Sequence, residues 1–205
     1  MNQPATAPCV VRAPAMPDGT MQVPVVIVGG GSCGLSAAIG LREAGVDCVV
    51  LERDAMASGS TALSSGFIPA AQTRLQKSLG IADSHELLIE DVMNKAHGQA
   101  PRPLVKAYVE AVTEAIDVLE HKGLPFEIVD GFLYPGHSVL RMHTMPEKTG
   151  ATFMNRLEQL ASREGVDILT EALVTQLWVD AQDRVLGVGY QRPDGQLEHL
   201  SLIHI

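Results

Sequence analysis

The stretch VVIVGGGSCGLSAAIGLREAG, residues 25–45, decides the fold. Its first four residues are apolar and β-branched, which is typical of a buried strand in a parallel sheet. The next six match the pattern GxGxxG. Apolar residues then recur at helical spacing as far as Gly45, a residue that suits the left-handed position after a helix. The stretch therefore predicts a strand, a tight glycine turn and a helix.

A glycine turn between a strand and a helix predicts a dinucleotide site. Gly29 allows the tight turn, Gly31 lets the backbone approach a pyrophosphate, and Gly34 lets the helix pack closely on the strand. Unpaired N–H groups at the helix start attract phosphate oxygens. The residues predicted to bind the ADP part are Gly29, Gly30, Gly31, Ser32, Cys33 and Gly34. The alternative for this segment is an ordinary tight connection without a ligand.

A second strand, DCVVLE at residues 47–52, ends in a carboxylate. Glu52 stands where it can accept hydrogen bonds from both ribose hydroxyls of an adenosine. A plain surface glutamate is the alternative for this position. The strand, helix and second strand indicate an α/β, Rossmann-like domain built on a parallel sheet, and they leave both NAD and FAD open as the cofactor.

The middle of the chain predicts an inserted helical pair. Asp83 and Glu86 form the pattern of a capping box, which starts a helix that runs to about His97. Pro103 suits the first turn of a second helix, and that helix ends at Gly123.

The rest of the chain predicts a hairpin, a helix and a β-meander. Asp130-Gly131 is a strong hairpin signal between the apolar residues 126–129 and 132–134. Thr149 caps a helix that stops at Gly165. Further strands are predicted near residues 166–169, 173–179, 185–190 and 196–200, and we interpret this group as the meander.

Composition excludes several classes of function. A net charge of −9 repels polyanions, so no nucleic acid is expected as a partner. Cys9, Cys33 and Cys48 are an odd number without CxxC spacing, which predicts neither a zinc site nor a disulfide framework and fits a cytoplasmic protein. The histidines show no metal-ligand pattern, so no metal is expected. The longest apolar run near the start is too short for a membrane segment.

The chain resembles the flavoprotein superfamily of FAD-dependent fumarate reductases and succinate dehydrogenases, which includes 3-ketosteroid dehydrogenases. The resemblance lies in VVIVGGGSCGLSAA (25–38), LERD (51–54) and STALSSG (60–66). It implies FAD, with the hydroxyl-rich segment around the pyrophosphate and the flavin. The residues added to the site on this ground are Arg53, Ser60, Thr61, Ser64, Ser65 and Gly66. The family often has glycine where this chain has Ser58 and Ser65.

Two further stretches extend the resemblance over nearly all of residues 23–200. Lys148-Thr149-Gly150 is similar to a short KTG or RTG signature of the family, and a simple capped helix start is the alternative. Residues 169–188 resemble the strand pair that closes the nucleotide site, where the backbone near Val174 would meet the adenine. Plain core packing by alternating apolar residues is the alternative for that pair.

The resemblance implies an oxidoreductase that oxidises or reduces a carbon–carbon bond of a small-molecule substrate next to a carbonyl or carboxylate. It implies no catalytic residue within this chain, because the catalytic and most substrate-binding groups are expected downstream. The electron donor or acceptor is not indicated. A non-catalytic dinucleotide-binding fragment and an NAD-dependent dehydrogenase are the alternatives. His137 and His143 could lie near a substrate or the flavin, or could be ordinary surface or core residues.

The domain boundaries follow from these patterns. We expect a flexible Pro/Ala-rich tail over residues 1–22 and a partial FAD-binding domain, incomplete at its C-terminus, over residues 23–199. Residues 200–205, LSLIHI, match the translation of CTG TCT CTT ATA CAC ATC, the end of a transposon adapter used in sequencing libraries. We therefore expect that tail to be adapter-encoded, and a native strand continuing from Gln196 is the alternative.

Overall fold

A computed structural model of the chain describes residues 9–203. The chain divides into two compact units, the first formed by residues up to Ser60 and from Leu157 onward, the second by residues Thr61–Arg156. The strands are β1 (Cys9–Arg12), β2 (Met21–Val23), β3 (Val25–Val28), β4 (Cys48–Leu51), β5 (Ile68–Pro69), β6 (Glu127–Ile128), β7 (Met142–Thr144), β8 (Asp167–Leu169), β9 (Leu173–Val179), β10 (Val185–Gln191) and β11 (Leu197–Leu202). The helices are α1 (Ser32–Glu43), α2 (Gly59–Ala62), α3 (Arg74–Ser78), α4 (His85–Lys95), α5 (Arg102–His121) and α6 (Gly150–Arg163).

The predicted parallel sheet is present in the first unit, in the order β3-β4-β8. Strand β3 pairs in parallel with β4, and β4 pairs in parallel with β8. Helix α1 connects β3 and β4 and buries Leu35, Ala38 and Ile39, which confirms the predicted strand, helix, strand unit. The prediction of a fully buried first strand was wrong, because β3 lies at the edge of this sheet: its first three residues are only half-buried and Val28 is 60% exposed.

A five-stranded sheet in the order β1-β9-β10-β11-β2 forms the other layer of the first unit. Strands β9, β10 and β11 are antiparallel neighbours, which confirms the meander. The predicted strand at residues 166–169 is not part of it, because β8 pairs with β4 instead. Residues 200–202 extend β11, while 204 and 205 lie outside the described residues; the adapter origin of this tail stays a prediction.

The prediction of a flexible tail was wrong for much of residues 9–22. Strand β1 pairs in parallel with β9, and β2 pairs in parallel with β11. Each outer strand of the meander leaves a row of backbone N–H and C=O groups unpaired, and the two short apolar segments of the tail satisfy them. Pro14 and Pro17 lie in the connection between β1 and β2, where they interrupt no ladder. Residues 1–8 lie outside the described part of the chain.

The second unit contains the predicted helical pair, α4 and α5, packed through a cluster that includes Leu88, Val105 and Val109. The helix start differs in detail. Ser84, and not Asp83, is the N-cap of α4, and its hydroxyl accepts a hydrogen bond from the Leu87 N–H.

The predicted hairpin around Asp130-Gly131 was wrong in its partner strand. Gly131 does adopt a positive φ of 78°, as the turn requires, but β6 pairs antiparallel with β7, and residues 132–134 form no strand. Strand β7 lies between β6 and β5, and its residues are buried. The backbone N–H and C=O groups of β6 pair with this buried strand β7. Residues 132–134 cannot be prolonged into a strand because Pro135 and Gly136 follow them.

Candidate functional site

The glycine turn of the first unit has the geometry that a close approach to a ligand needs. Gly29 adopts φ +101° and donates its N–H to the Leu51 carbonyl over 2.8 Å, so the turn begins on the sheet. A Cβ added at Gly34 would collide with the Gly29 carbonyl oxygen, whereas a Cβ at Gly31 would meet no atom within 4 Å. Gly34 is therefore required for packing, and the backbone at Gly31 faces open space.

The start of α1 can accept an anion. The N-cap is Gly31, so no side chain caps the helix, and the first turn contains no acidic residue. The first helical hydrogen bond runs from the Leu35 N–H to the Gly31 carbonyl. An α-helix leaves its first N–H groups without helical acceptors and has partial positive charge at this end. Cys33 is exposed in this turn, so the helix start is open to solvent.

Glu52 is a buried carboxylate and not the surface residue of the alternative interpretation. Its side chain is held by two backbone donors: Oε2 accepts from the Gly30 N–H over 2.7 Å, and Oε1 accepts from the Asp54 N–H over 2.9 Å. The residue is 7% exposed. Each carboxylate oxygen can accept a second hydrogen bond. The group is therefore oriented in advance beside the glycine turn and retains acceptor sites for hydroxyl donors.

Arg53 and Val174, two further residues of the first unit predicted to bind the cofactor, lie in different surroundings. Arg53 has an exposed side chain that pairs with Asp54 at 3.5 Å. Val174 lies on β9 opposite Tyr190 and packs against the core cluster that contains Leu51. The Val174 side chain thus packs in the hydrophobic core, which agrees with the alternative of plain core packing for that strand pair. A backbone contact of Val174 with adenine stays a prediction.

Residues 61–66 of the second unit form a turn that is held by Ser64. The Ser64 hydroxyl donates to the Thr61 carbonyl over 2.7 Å and accepts from the Gly66 N–H over 3.0 Å. Gly66 adopts φ +66°, which favours glycine. Ser65 is exposed, and Ser60 is the last residue of the first unit before this turn. The Ser64 hydroxyl is therefore used within the turn.

The second unit also brings Gly150 to this turn. The Gly150 N–H donates to the Ser64 carbonyl over 2.8 Å. The Thr149 hydroxyl accepts from the Thr152 N–H over 3.1 Å, so Thr149 caps α6 as predicted. The KTG segment thus starts a helix and also contacts residues that the resemblance assigns to the flavin.

His143 is a satisfied core residue. Its Nδ1 lies 3.0 Å from the Arg141 carbonyl and its Nε2 lies 2.8 Å from the Thr73 hydroxyl. A carbonyl only accepts, so Nδ1 carries the proton and Nε2 accepts from Thr73. Burial lowers the pKa of His143 below its ordinary value. The ring is neutral and structural, which corresponds to the core alternative.

His137 is partly buried and touches the ring of Tyr134, with 5.6 Å between the ring centroids. Its Nδ1 is buried and has no hydrogen-bond partner among residues 9–203. Burial, and then the Arg141 charge, lower the pKa of His137. No contact in the second unit gives this ring a catalytic task.

Sequence reasoning missed a buried ionic cluster formed by Arg141, Asp83 and Asp91. The Arg141 guanidinium is fully buried and binds Asp83 through two hydrogen bonds of 3.0 and 2.9 Å. It also binds Asp91 over 2.5 Å, and Asp91 accepts two hydrogen bonds from Ser138. Burial by itself would raise the pKa of Asp91, but the bonds from Ser138 and Arg141 outweigh it and lower the pKa. No local pattern announces this cluster, because its members lie far apart in sequence.

Taken together, the parallel sheet, the glycine turn, the uncapped helix start and the oriented carboxylate define a dinucleotide-binding protein. The open space at Gly31 and the free acceptor sites of Glu52 fit a pyrophosphate and a ribose. The chain belongs to the family described as "FAD binding domain", whose sequence profile matches residues 24–202. The cofactor is therefore FAD, which decides against the NAD alternative.

Known proteins with similar sequences and structures agree with this family. The chain is 30% identical over 166 residues, 80% of its length, to NADH:fumarate oxidoreductase of Klebsiella pneumoniae. It is 29% identical over 178 residues, 85% of its length, to urocanate reductase of Eggerthella lenta. Among solved structures, 3-ketosteroid-Δ4-(5α)-dehydrogenase of Rhodococcus jostii superimposes on 94% of the chain with a TM-score of 0.78 and 27% identity.

The chain spans only part of each of these proteins. It corresponds to 18% of the Klebsiella protein, 29% of the urocanate reductase and 47% of the steroid dehydrogenase chain. Within residues 9–203, no helix is long and apolar enough to cross a membrane. The same part of the chain contains no group of three or more His, Cys, Asp or Glu side chains that could hold a metal ion.

Proposed function

We propose that this chain is the FAD-binding part of an oxidoreductase that oxidises or reduces a carbon–carbon bond next to a carbonyl or carboxylate. The observation that supports it most is the Glu52 carboxylate, buried and oriented by the Gly30 N–H beside an open glycine turn. The names of the similar proteins support the reaction class. Fumarate and urocanate contain a carbon–carbon double bond next to a carboxylate, and a 3-ketosteroid contains a carbonyl.

In this proposal the first unit binds the ADP part of FAD. The backbone of residues 29–34 approaches the pyrophosphate, with the N–H groups at the start of α1 facing its oxygens. Glu52 accepts hydrogen bonds from the ribose hydroxyls, and the backbone of Val174 contacts the adenine. The residues assigned to the pyrophosphate and flavin are Arg53, Ser60, Thr61, Ser64, Ser65 and Gly66. When bound, FAD supplies hydride transfer at its N5 atom.

We assign catalytic proton transfer to no residue of this chain. In the second unit His143 is already paired with Thr73 and Arg141 with Asp83, and no contact gives the unpaired Nδ1 of His137 a catalytic task. The substrate-binding groups then belong to parts of the similar proteins that have no counterpart in this chain. The chain by itself would bind FAD without turning over a substrate.

We also propose a cytoplasmic location. The three cysteines are free thiols, and Cys48 is buried. Such thiols persist in a reducing compartment, whereas secreted proteins tend to pair their cysteines.

The experiment that tests the site is protection of Cys33 from a maleimide reagent. Cys33 lies in the first turn of α1, Cys9 is also exposed, and Cys48 is buried. Burial raises the pKa of the Cys48 thiol, which makes it slow to react. We expect FAD to slow labelling of Cys33 while Cys9 reacts at its original rate. Equal protection by NAD, or no protection by FAD, would contradict the assignment.

A parallel assay tests the activity. The purified chain with FAD should show the visible flavin absorbance bands and no reduction of fumarate or urocanate by a chemically reduced flavin dye. Turnover by this chain would refute the assignment of catalysis to other parts of a longer protein. Absence of any bound flavin after reconstitution would refute the FAD-binding function itself.

A further inference from the structure

Gly150 lies so close to the turn of residues 61–66 that no residue with a side chain would fit at its position. A Cβ at Gly150 would collide with the Thr61 carbonyl oxygen and would lie 2.7 Å from the Ser64 hydroxyl and 2.8 Å from the Ser64 carbonyl. The Gly150 N–H already donates to that carbonyl over 2.8 Å. The start of α6 therefore lies directly on the backbone of the turn.

The contact is reciprocal. A Cβ at Gly66 would lie 3.0 Å from the Gly150 nitrogen and from the Thr149 carbonyl atoms, and Gly66 needs φ +66° in any case. Lys148, just before this contact, adopts φ +55°, a region that residues other than glycine rarely enter. The two backbones thus fit each other through a glycine on each side.

The position of residue 150 at the start of a helix does not explain why it is a glycine. Thr149 already caps α6 with its hydroxyl, and a cap requires no glycine after it. Within a helix, alanine is more favourable than glycine because glycine loses more backbone freedom on folding. The glycine is therefore required by the turn of residues 61–66 and not by the helix.

We propose that Gly150 is a positioning residue for the flavin, acting through the turn of residues 61–66. This inference rests on the proposed function, in which Thr61, Ser64 and Gly66 contact the pyrophosphate and flavin. The Gly150 N–H and the absence of a side chain set the position of the Thr61 and Ser64 carbonyls. Gly150 then supports the cofactor site without contacting the cofactor, whereas the Thr149 hydroxyl only caps α6.

The test compares Gly150→Ala with Thr149→Ala in the FAD-loaded protein. The first change displaces the turn, whereas the second removes only the helix cap and leaves the glycine contact in place. We expect Gly150→Ala to shift the flavin absorption maxima and midpoint potential and to raise the FAD dissociation constant about tenfold, the scale of one lost hydrogen bond. Thr149→Ala should lower the melting temperature and leave the flavin spectrum and potential unchanged.

A second variant covers a failure of Gly150→Ala to fold. Ser64→Ala removes the hydroxyl that joins Thr61 to Gly66 inside the turn, and we expect a smaller spectral shift in the same direction. The inference is overturned if wild type binds FAD and a folded Gly150→Ala keeps its spectrum, potential and affinity, or if Thr149→Ala shifts the flavin as strongly. If wild type binds no FAD, the proposed function fails first, so the two failures are distinguishable.

Discussion

The Glu52 carboxylate accepts a hydrogen bond from the Gly30 N–H over 2.7 Å, which joins the end of β4 to the glycine turn that follows β3. One residue therefore has two tasks. It fixes the turn in the free protein and offers its remaining lone pairs to a ribose. The proposed ligand site is in this sense organised before the ligand binds, which lowers the cost of binding.

Replacing Glu52 with glutamine should impair both tasks together, the support of the turn and the binding of the ribose. The new amide NH2 group would face the N–H of either Gly30 or Asp54, and two donors cannot form a hydrogen bond. Hydrogen bonds to a charged group contribute about 1.5–3 kcal/mol, so we expect Glu52→Gln to weaken FAD binding by roughly ten- to hundredfold. Titration calorimetry with FAD measures this. The exposed Glu43→Gln serves as control. Unchanged affinity in Glu52→Gln would argue against the ribose contact.

Two glycines of α1 should respond oppositely to alanine. A Cβ at Gly34 would collide with the Gly29 carbonyl oxygen, so Gly34→Ala should disrupt the turn and abolish FAD binding. Gly40 lies in the same helix with no atom within 4 Å of an added Cβ, so Gly40→Ala should stabilise the protein by about 0.5–1 kcal/mol. Urea unfolding and flavin fluorescence give both readouts. A tolerated Gly34→Ala would show that the helix can move off the strand.

The local parts of this fold could be predicted from the sequence. The strand, glycine turn and helix of residues 25–45 depend on neighbouring residues, and all three are present. Pairings between distant segments could not be predicted in this way. Residues 132–134 follow the strong turn signal Asp130-Gly131, yet β6 pairs with the more distant β7. Strand pairing depends on packing and burial, and β7 is buried.

The candidate site shows the same division. The glycine spacing and Glu52 are visible in the sequence, whereas the hydrogen bond between Glu52 and Gly30 depends on the register of two strands. The contact of Gly150 with Ser64 joins residues that no local pattern relates. Short motifs thus indicate the chemistry of a site, and the supports of the site come from the fold.

Removing the charge of Arg141 should strongly destabilise the second unit. Arg141→Met would leave the buried carboxylates of Asp83 and Asp91 without their cation, and such changes cost about 3–5 kcal/mol. As control, Arg156→Met breaks a more exposed pair with Glu147 and should cost about 1 kcal/mol or less. Chemical denaturation compares the two variants. Equal losses would mean that the buried cluster adds nothing beyond an ordinary surface pair.

His143 should make the stability of the protein depend on pH. Burial lowers its folded-state pKa, so below the unfolded value of about 6.5 the unfolded chain binds a proton that the folded chain does not. The free energy of unfolding should therefore fall as pH drops from about 6.5, by up to about 1.4 kcal/mol per pH unit from this residue.

Substitution tests that pH dependence. His143→Gln should unfold more easily at pH 7, because its hydrogen bonds to Thr73 and Arg141 are altered, yet it should lose this part of the pH slope. Urea denaturation at several pH values between roughly pH 5 and pH 7, a range that includes the ordinary histidine pKa, measures this slope of the free energy of unfolding. An unchanged slope in His143→Gln would assign the effect to other groups.

The two strands at the beginning of the described chain have a consequence for how the protein is made. Strand β1 pairs residue 9 with residue 176, and β2 pairs residue 21 with residue 200. During synthesis both segments leave the ribosome long before β9 and β11 exist, and contacts so distant in sequence form late. The five-stranded sheet is therefore completed only after β11, which ends at Leu202, has been translated. Until then its earliest strands present unpaired backbone to chaperones and to neighbouring nascent chains.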